Sequence, residues 1–325
     1  MAALRPRAAV PDRLDLARWI LDDTNPLTSR VAVNRLWQHY FGRGLVRTSE
    51  DFGTQGTKPT HPQLLDWLAK RFVDNGWSMK RLHREIVTSA TYRQSSAARP
   101  KLADRDPYNT WLARQNRMRV EAEIVRDLAL ASSGLLNQRT HGPSVFPPLP
   151  SGILELAFVD VINRGPWKVS RGRDRYRRGM YTFFQRTSPY PMLSLFDAPD
   201  SNTTCAHRET SNTPLQALTL WNDPVFVECA QVLARRVLQR PGLSDRARIE
   251  AAFITALSRK PTAEDQGDVA ALLASGRSVF VDDKTLAHAL IGSASVPPGV
   301  TDAELAAWVS VARTLLNLDE FITRE

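Results

Sequence analysis

The residues best equipped for chemistry gather between Phe196 and Arg208, where two carboxylates, a thiol, an imidazole and a guanidinium share one short non-helical stretch. Loops held on a rigid scaffold are common places for sites. Asp197 and Asp200 could serve as general acid and base, or hold a hard cation between them. In the plainer arrangement Asp197 caps a turn before Pro199 and Asp200 pairs with Arg208. Cys205 is the only thiol in a polar, non-helical setting, and a neighbouring Arg or His would lower its pKa and make it reactive. An inert Cys205 is the alternative. Cys229 sits among Val225, Phe226 and Val232 on an apolar helical face, as a small core residue would.

A second concentration is basic and aromatic. Arg164, Lys168, Arg171, Arg173, Arg175, Arg177, Arg178 and Arg186 interleave with Trp167, Tyr176, Tyr181, Phe183 and Phe184, and Asp174 is the main offset. A nucleic-acid groove has this composition, because phosphates meet Arg and bases stack on rings. An acidic polysaccharide suits it equally, since sulfate and carboxylate are read by Arg forks and sugar faces lie on aromatics. The third reading turns the aromatics inward and uses Arg–carboxylate pairs to hold a long connection. Trp167, Arg175, Arg177 and Arg178 join Cys205, His207 and Arg208 as ligand-binding candidates. The dispersed histidines offer less. A metal site would need His39, Asp51 and His61 to converge, and no HxxxH or HExxH spacing requires it.

These residues need a framework, and the framework reads as helical. Asp12 or Asp15 can start a helix that stops near Asn25-Pro26, since the residue before Pro avoids the α region. Helical spacing over 27–41 ends at Gly42 and Gly44. A loop follows over 49–60, then a helix from Pro62 to Gly76 and another capped by Ser78. A strong helix covers about 120–133. In the C-terminal part Thr213-Pro214 opens a series near 214–222, 224–239, 245–257 and 262–275, with Thr262 and Asp265 forming a capping box. The last helix covers about 301–320. Trp19, Trp37, Trp67 and Trp308 lie in apolar stripes and are expected in the core. Met180–Phe184 is the best strand candidate, with Trp167–Ser170 as its hairpin partner. The expected fold class is mainly α, a multi-helix globular domain with a small β-hairpin or short sheet in an irregular middle.

Composition narrows the function. The chain has 325 residues, enough for one large domain or two modest ones. Its formal net charge is +9. Two cysteines exclude a disulfide scaffold, a four-cysteine zinc site and a CxxCH haem attachment, so no cofactor is expected in this chain. No apolar run approaches membrane-spanning length. The N-terminus lacks the apolar core of a secretory signal, which agrees with a domain cut from a longer protein.

Several blocks are recognisable. NPLTSRVAVNRLWQHYFGRGLV (25–46), DFGTQGTKPTHPQLLDWL (51–68), LHREIVTSATYRQSS (82–96), MRVEAEIVRDLALASSGL (118–135), GPSVFPP (142–148), FDAPD (196–200) and CAHRETSNTPLQALTLWNDPVFVE (205–228) occur in order. Together they resemble the planctomycete cytochrome-associated C-terminal domain family, the domain of unknown function fifteen-fifty-three. The resemblance runs nearly from end to end. It implies one continuous unit over 1–325, with a helical part 12–135, an irregular middle 136–212 and a helical part 213–325. It further implies an exported or periplasmic multidomain protein whose upstream domains, including any haem-bearing cytochrome module, are not in this chain. His207 and Cys229 depart from the family pattern. An exported setting would permit a Cys205–Cys229 disulfide, and it places an anionic glycan ahead of nucleic acid as partner. The leading expectation is therefore binding or processing of an extracytoplasmic polymer such as an anionic carbohydrate. A docking module for a cytochrome c domain or redox partner is the alternative, and nucleic-acid binding is third.

Overall fold

The computed structural model describes Arg7 and residues 10–150, 167–186 and 188–324. Fourteen α-helices and one two-stranded sheet, Met118–Arg119 with Thr323–Arg324, make the described fold mainly α. The chain divides into two compact units, one formed by residues 1–118 and the other by 119–324.

In the first unit the helix Thr28–Phe41 packs on the helix Pro62–Asp74, and Met79–Thr88 closes the group. Val33, Trp37, Phe41, Leu65, Leu68, Phe72, Leu82 and Ile86 supply the buried stripe. Trp37 and Phe41, one helical turn apart, stack at 4.2 Å between centroids. The first helix of this group stops as its glycines require. Gly42 takes the left-handed conformation (φ 77°) and its N–H returns to the Gln38 carbonyl. Two residues on, a Cβ at Gly44 would stand 2.5 Å from the Asn34 amide, so only glycine fits. Asn34 is fully buried and grips Val46 at both backbone atoms, accepting from its N–H at 2.8 Å and donating to its carbonyl at 3.0 Å. That clamp fixes the course of residues 42–47. Trp67 departs from expectation: it is exposed on the outer face of its helix.

The second unit is built around the helix Asp302–Asn317, whose Leu305, Trp308, Val309, Val311, Leu315 and Leu316 are all buried. Helices Pro224–Leu238, Ala263–Asp282 and Lys284–Ile291 surround it. The expected capping box of Thr262 with Asp265 is present, and Thr213, expected to open its helix before Pro214, forms a second box with Gln216. The last helix is shorter than its pattern, because Leu318 turns extended before a separate turn at Asp319–Ile322. In contrast, the helix expected over 262–275 continues to Asp282.

The middle segment corrects the hairpin. Trp167–Ser170 and Met180–Phe184 do not pair with each other; both border residues 145–146. The Val145 N–H donates to the Tyr181 carbonyl, Phe183 returns to the Val145 carbonyl, and Ser170 donates to the Phe146 carbonyl. Gly172–Tyr176 and Gly179–Tyr181 are short 3-10 turns. The intervening chain coils tightly, so among the described residues of the middle segment β pairing is limited to isolated bridges at Val145–Thr182 and Asn137–Arg177.

Candidate functional site

The short helix Pro191–Leu195 delivers Asp197 in a left-handed conformation, φ 63°. Its carboxylate accepts from the Arg119 guanidinium at 2.5 Å, the Ser211 N–H at 2.8 Å and the Ser211 hydroxyl at 2.9 Å. Gln216 donates to the Ser211 hydroxyl and to the Leu195 carbonyl, closing the group. Arg119 also donates to the carbonyls of Ser211, Val120 and Phe196. Burial pushes the Asp197 pKa up, but the Ser211 hydrogen bonds and the Arg119 charge outweigh it, holding the carboxyl below its ordinary range. Such a group stays ionised at neutral pH and stitches three chain segments together.

Asp200 belongs to a different environment. It accepts from the backbone and side-chain nitrogens of Asn202, which also hold its pKa down. The two aspartates share no hydrogen-bond partner, so they do not form an acid–base couple through one group. Nor does Asp200 pair with Arg208. That guanidinium turns to Glu123 at 2.8 Å and Glu121 at 3.4 Å, because the helix Ala122–Ser133 presents acidic residues at its start. Cys205 is exposed, with its Sγ 3.0 Å from the His207 carbonyl. The disulfide expectation is corrected: both cysteines are free, and Cys229 is fully buried in the core, where desolvation pushes its thiol up to about 12.

The arginine cluster turns inward. Arg175 and Tyr176 both bind Glu228, the tyrosine hydroxyl at 2.7 Å. Arg177 is buried, donates to the Pro143 and His141 carbonyls, and lies 3.7 Å from the Tyr181 ring centroid. Arg178 binds one oxygen of Asp127 while the Gly179 N–H takes the other. Trp167 donates its indole N–H to the Pro147 carbonyl and packs on Phe146 and Tyr190. Three of the candidate guanidiniums and the candidate tryptophan therefore hold an irregular segment in place. Lys168, Arg171, Arg173 and Arg186 stay exposed, and Arg164 lies outside the described residues.

In the first unit the metal candidates are not brought together. Asp51 accepts from the Gly53 N–H, and the His61 Nδ1 lies 3.0 Å from the Thr60 hydroxyl. Among the described residues no group of three His, Cys, Asp or Glu could hold a metal ion. The same unit instead carries an open surface cleft. Trp37, Phe41, Leu45 and Leu112 line its apolar side, and Arg43, Arg47, Tyr108 and Asn116 its polar side. Arg43 and Arg47 stand 5.6 and 5.8 Å from the Tyr108 ring centroid. Tyr108 is 64% exposed, and its neighbour Trp111 is 55% exposed. The loop that carries them is held from beneath. Asp106 accepts from the Thr110 and Trp111 N–H groups at 2.7 Å each, and buried Asn109 donates to Asn116 and the Arg114 carbonyl. Arg47 donates to the Thr110 hydroxyl. Neither Arg43 nor Arg47 has a carboxylate partner among the described residues.

Charge is distributed in the same sense. Residues 1–118 hold 20 Lys and Arg against 11 Asp and Glu, whereas residues 119–325 hold 23 of each. The whole net charge of +9 thus belongs to residues 1–118.

A family model described as PSD1, protein of unknown function (DUF1553), matches residues 12–273. The chain belongs to this family. No match appears among curated proteins or among solved structures. The DUF1553 span contains both the Tyr108 cleft and the Asp197 network. It stops short of the helix Asp302–Asn317, the centre of the second unit's core.

Proposed function

We propose that this chain is a binding module for an anionic extracytoplasmic polymer, an acidic carbohydrate, within an exported multidomain protein of the planctomycete cytochrome-associated type. Any haem belongs to a segment outside this chain. One observation carries the reading: the excess positive charge lies wholly in residues 1–118, while the arginines of the second unit are balanced by carboxylates. A charge of this size on a small unit draws a polyanion and speeds its approach. The inward ties of Arg175, Arg177 and Arg178 to Glu228, backbone carbonyls and Asp127 support the same assignment, since they leave the second unit as scaffold. The ionised, four-way bonded Asp197 likewise suits a structural role better than proton transfer.

The experiment is retention of the full chain on immobilised sulfated or carboxylated polysaccharide beside a neutral one of similar size. Retention on the acidic polymers alone, falling as salt rises, is expected. Equal retention on the neutral polymer, or none on the acidic polymers at low salt, contradicts the proposal. Tighter binding to a purified acidic cytochrome domain than to either polysaccharide replaces it with the docking role.

A further inference from the structure

We infer that the cleft at Tyr108 is the seat of one anionic sugar residue, with the ring of the sugar against Tyr108 and its sulfate or carboxylate between Arg43 and Arg47. This rests on the polyanion reading and gives it an address. Four observations converge. The two guanidiniums approach one exposed ring, at 5.6 and 5.8 Å, in a unit where other arginines are paired, such as Arg30 with Asp66 and Arg71 with Glu85. Neither has a carboxylate partner among the described residues, so their charge is available to a ligand.

The site is also built in advance. Asn34 clamps Val46 from the core and thereby sets the 42–47 segment, while Asp106 and Asn109 fix the 108–111 turn. A ligand therefore meets groups already in place and loses little in ordering them. Finally, exposed Tyr108 and half-buried Leu112 give the cationic mouth an apolar side, over a floor of buried Trp37, Phe41 and Leu45. Sugar rings combine an apolar face with polar edges, and Arg forks read sulfate and carboxylate through paired N–H donors. Nucleic acid fits less well. A single strand is held by a groove that tracks successive phosphates with a series of stacking rings, whereas here two arginines converge on one point.

The test uses the full chain as wild type, Arg43→Ala with Arg47→Ala, Tyr108→Ala and Tyr108→Phe. Binding is measured by titration calorimetry against a sulfated oligosaccharide, an oligogalacturonate and an oligothymidylate of matched charge. All three changed positions are exposed at the cleft mouth, and unchanged circular dichroism verifies the fold. The double arginine variant is expected to lose about tenfold or more for an acidic oligosaccharide, and Tyr108→Ala about fivefold, with Tyr108→Phe near wild type. Wild-type affinity in both the double arginine variant and Tyr108→Ala overturns the site while leaving polyanion binding by the chain intact. Stronger wild-type binding to oligothymidylate than to either oligosaccharide overturns the ligand class. Absence of wild-type binding to every acidic probe overturns the polyanion reading itself.

Discussion

Replacing Asp223 with asparagine isolates the cost of holding one carboxylate in the core of the second unit. Asp223 is the N-cap of the helix Pro224–Leu238 and accepts from the Val225 N–H at 2.9 Å. It is only 5% exposed, and Arg126 and Tyr190 are buried nearby. Desolvation raises its pKa from 3.8 to about 6, against the opposing pull of the Val225 hydrogen bond and the Arg126 charge. A carboxyl raised in the folded state binds its proton more tightly there than in the unfolded chain. Its contribution to stability is therefore fully present below about 3.8 and is lost as pH rises through about 6. At about 1.4 kcal/mol per pH unit, the interval between those two values makes a loss of about 3 kcal/mol. Asparagine keeps an oxygen for the cap but cannot ionise. Denaturant unfolding of Asp223→Asn and wild type, measured from about pH 4 to about pH 8, should show the variant gaining on wild type by about 3 kcal/mol across the window. The gain should accumulate between the unfolded and folded values, steepest near about pH 5, and level off above about 6. Other carboxylates titrate in both proteins and cancel in the difference. A difference that does not change with pH would refute the reasoning, because Asp223 would then ionise as easily in the core as in water.

Three further outcomes follow from single contacts. Asp197→Asn should destabilise the second unit by about 2 kcal/mol in thermal or denaturant melts, because the mostly buried Arg119 guanidinium loses its counter-charge. Wild type should also lose stability in acid as Asp197 is protonated, with the contribution present above the ordinary carboxylate range and lost below it. A thiol reagent should label one cysteine, Cys205, in the native chain and reach Cys229 only on unfolding; two fast-reacting native thiols would contradict the burial. Asn34→Ala should cost about 2–4 kcal/mol in the first unit, since it strands both backbone atoms of buried Val46. Loss of affinity for acidic oligosaccharide should accompany it at temperatures where the unit is still folded.

Features that depend on neighbours in the chain were legible before the fold. Gly42 stops its helix, Thr213-Pro214 opens one, and the pair Thr262–Asp265 caps another, because each needs only a few adjacent residues. Long-range choices were not. Trp67 lies in a helical apolar pattern, yet the core of the first unit is filled by Leu65, Leu68 and Phe72, so the indole stays outside. The pattern over 301–320 does not reveal the break at Leu318. The arginine cluster could be read as inward-paired or as a polyanion surface for a related reason. Its offsetting carboxylates, Asp127 and Glu228, are about 50 positions away in sequence, so local charge density overstated free charge. Conversely, Arg43 and Tyr108 are far apart in the chain and only the fold brings them together. One signal was available throughout: the sign balance of residues 1–118 against the remainder assigns the whole excess to the former stretch.

That balance leads to a direct comparison of two charge reversals in the full chain. One is Arg43→Glu with Arg47→Glu in the first unit, and the other is Arg171→Glu with Arg173→Glu on the exposed turn of the second. Each changes the net charge equally. Affinity for one sulfated polysaccharide is then measured for both at the same ionic strength. Loss of binding in the first variant, with the second close to wild type, is the result expected of a polyanion site in residues 1–118. Loss in the second with the first unaffected would contradict it and return the binding surface to the arginine-rich middle.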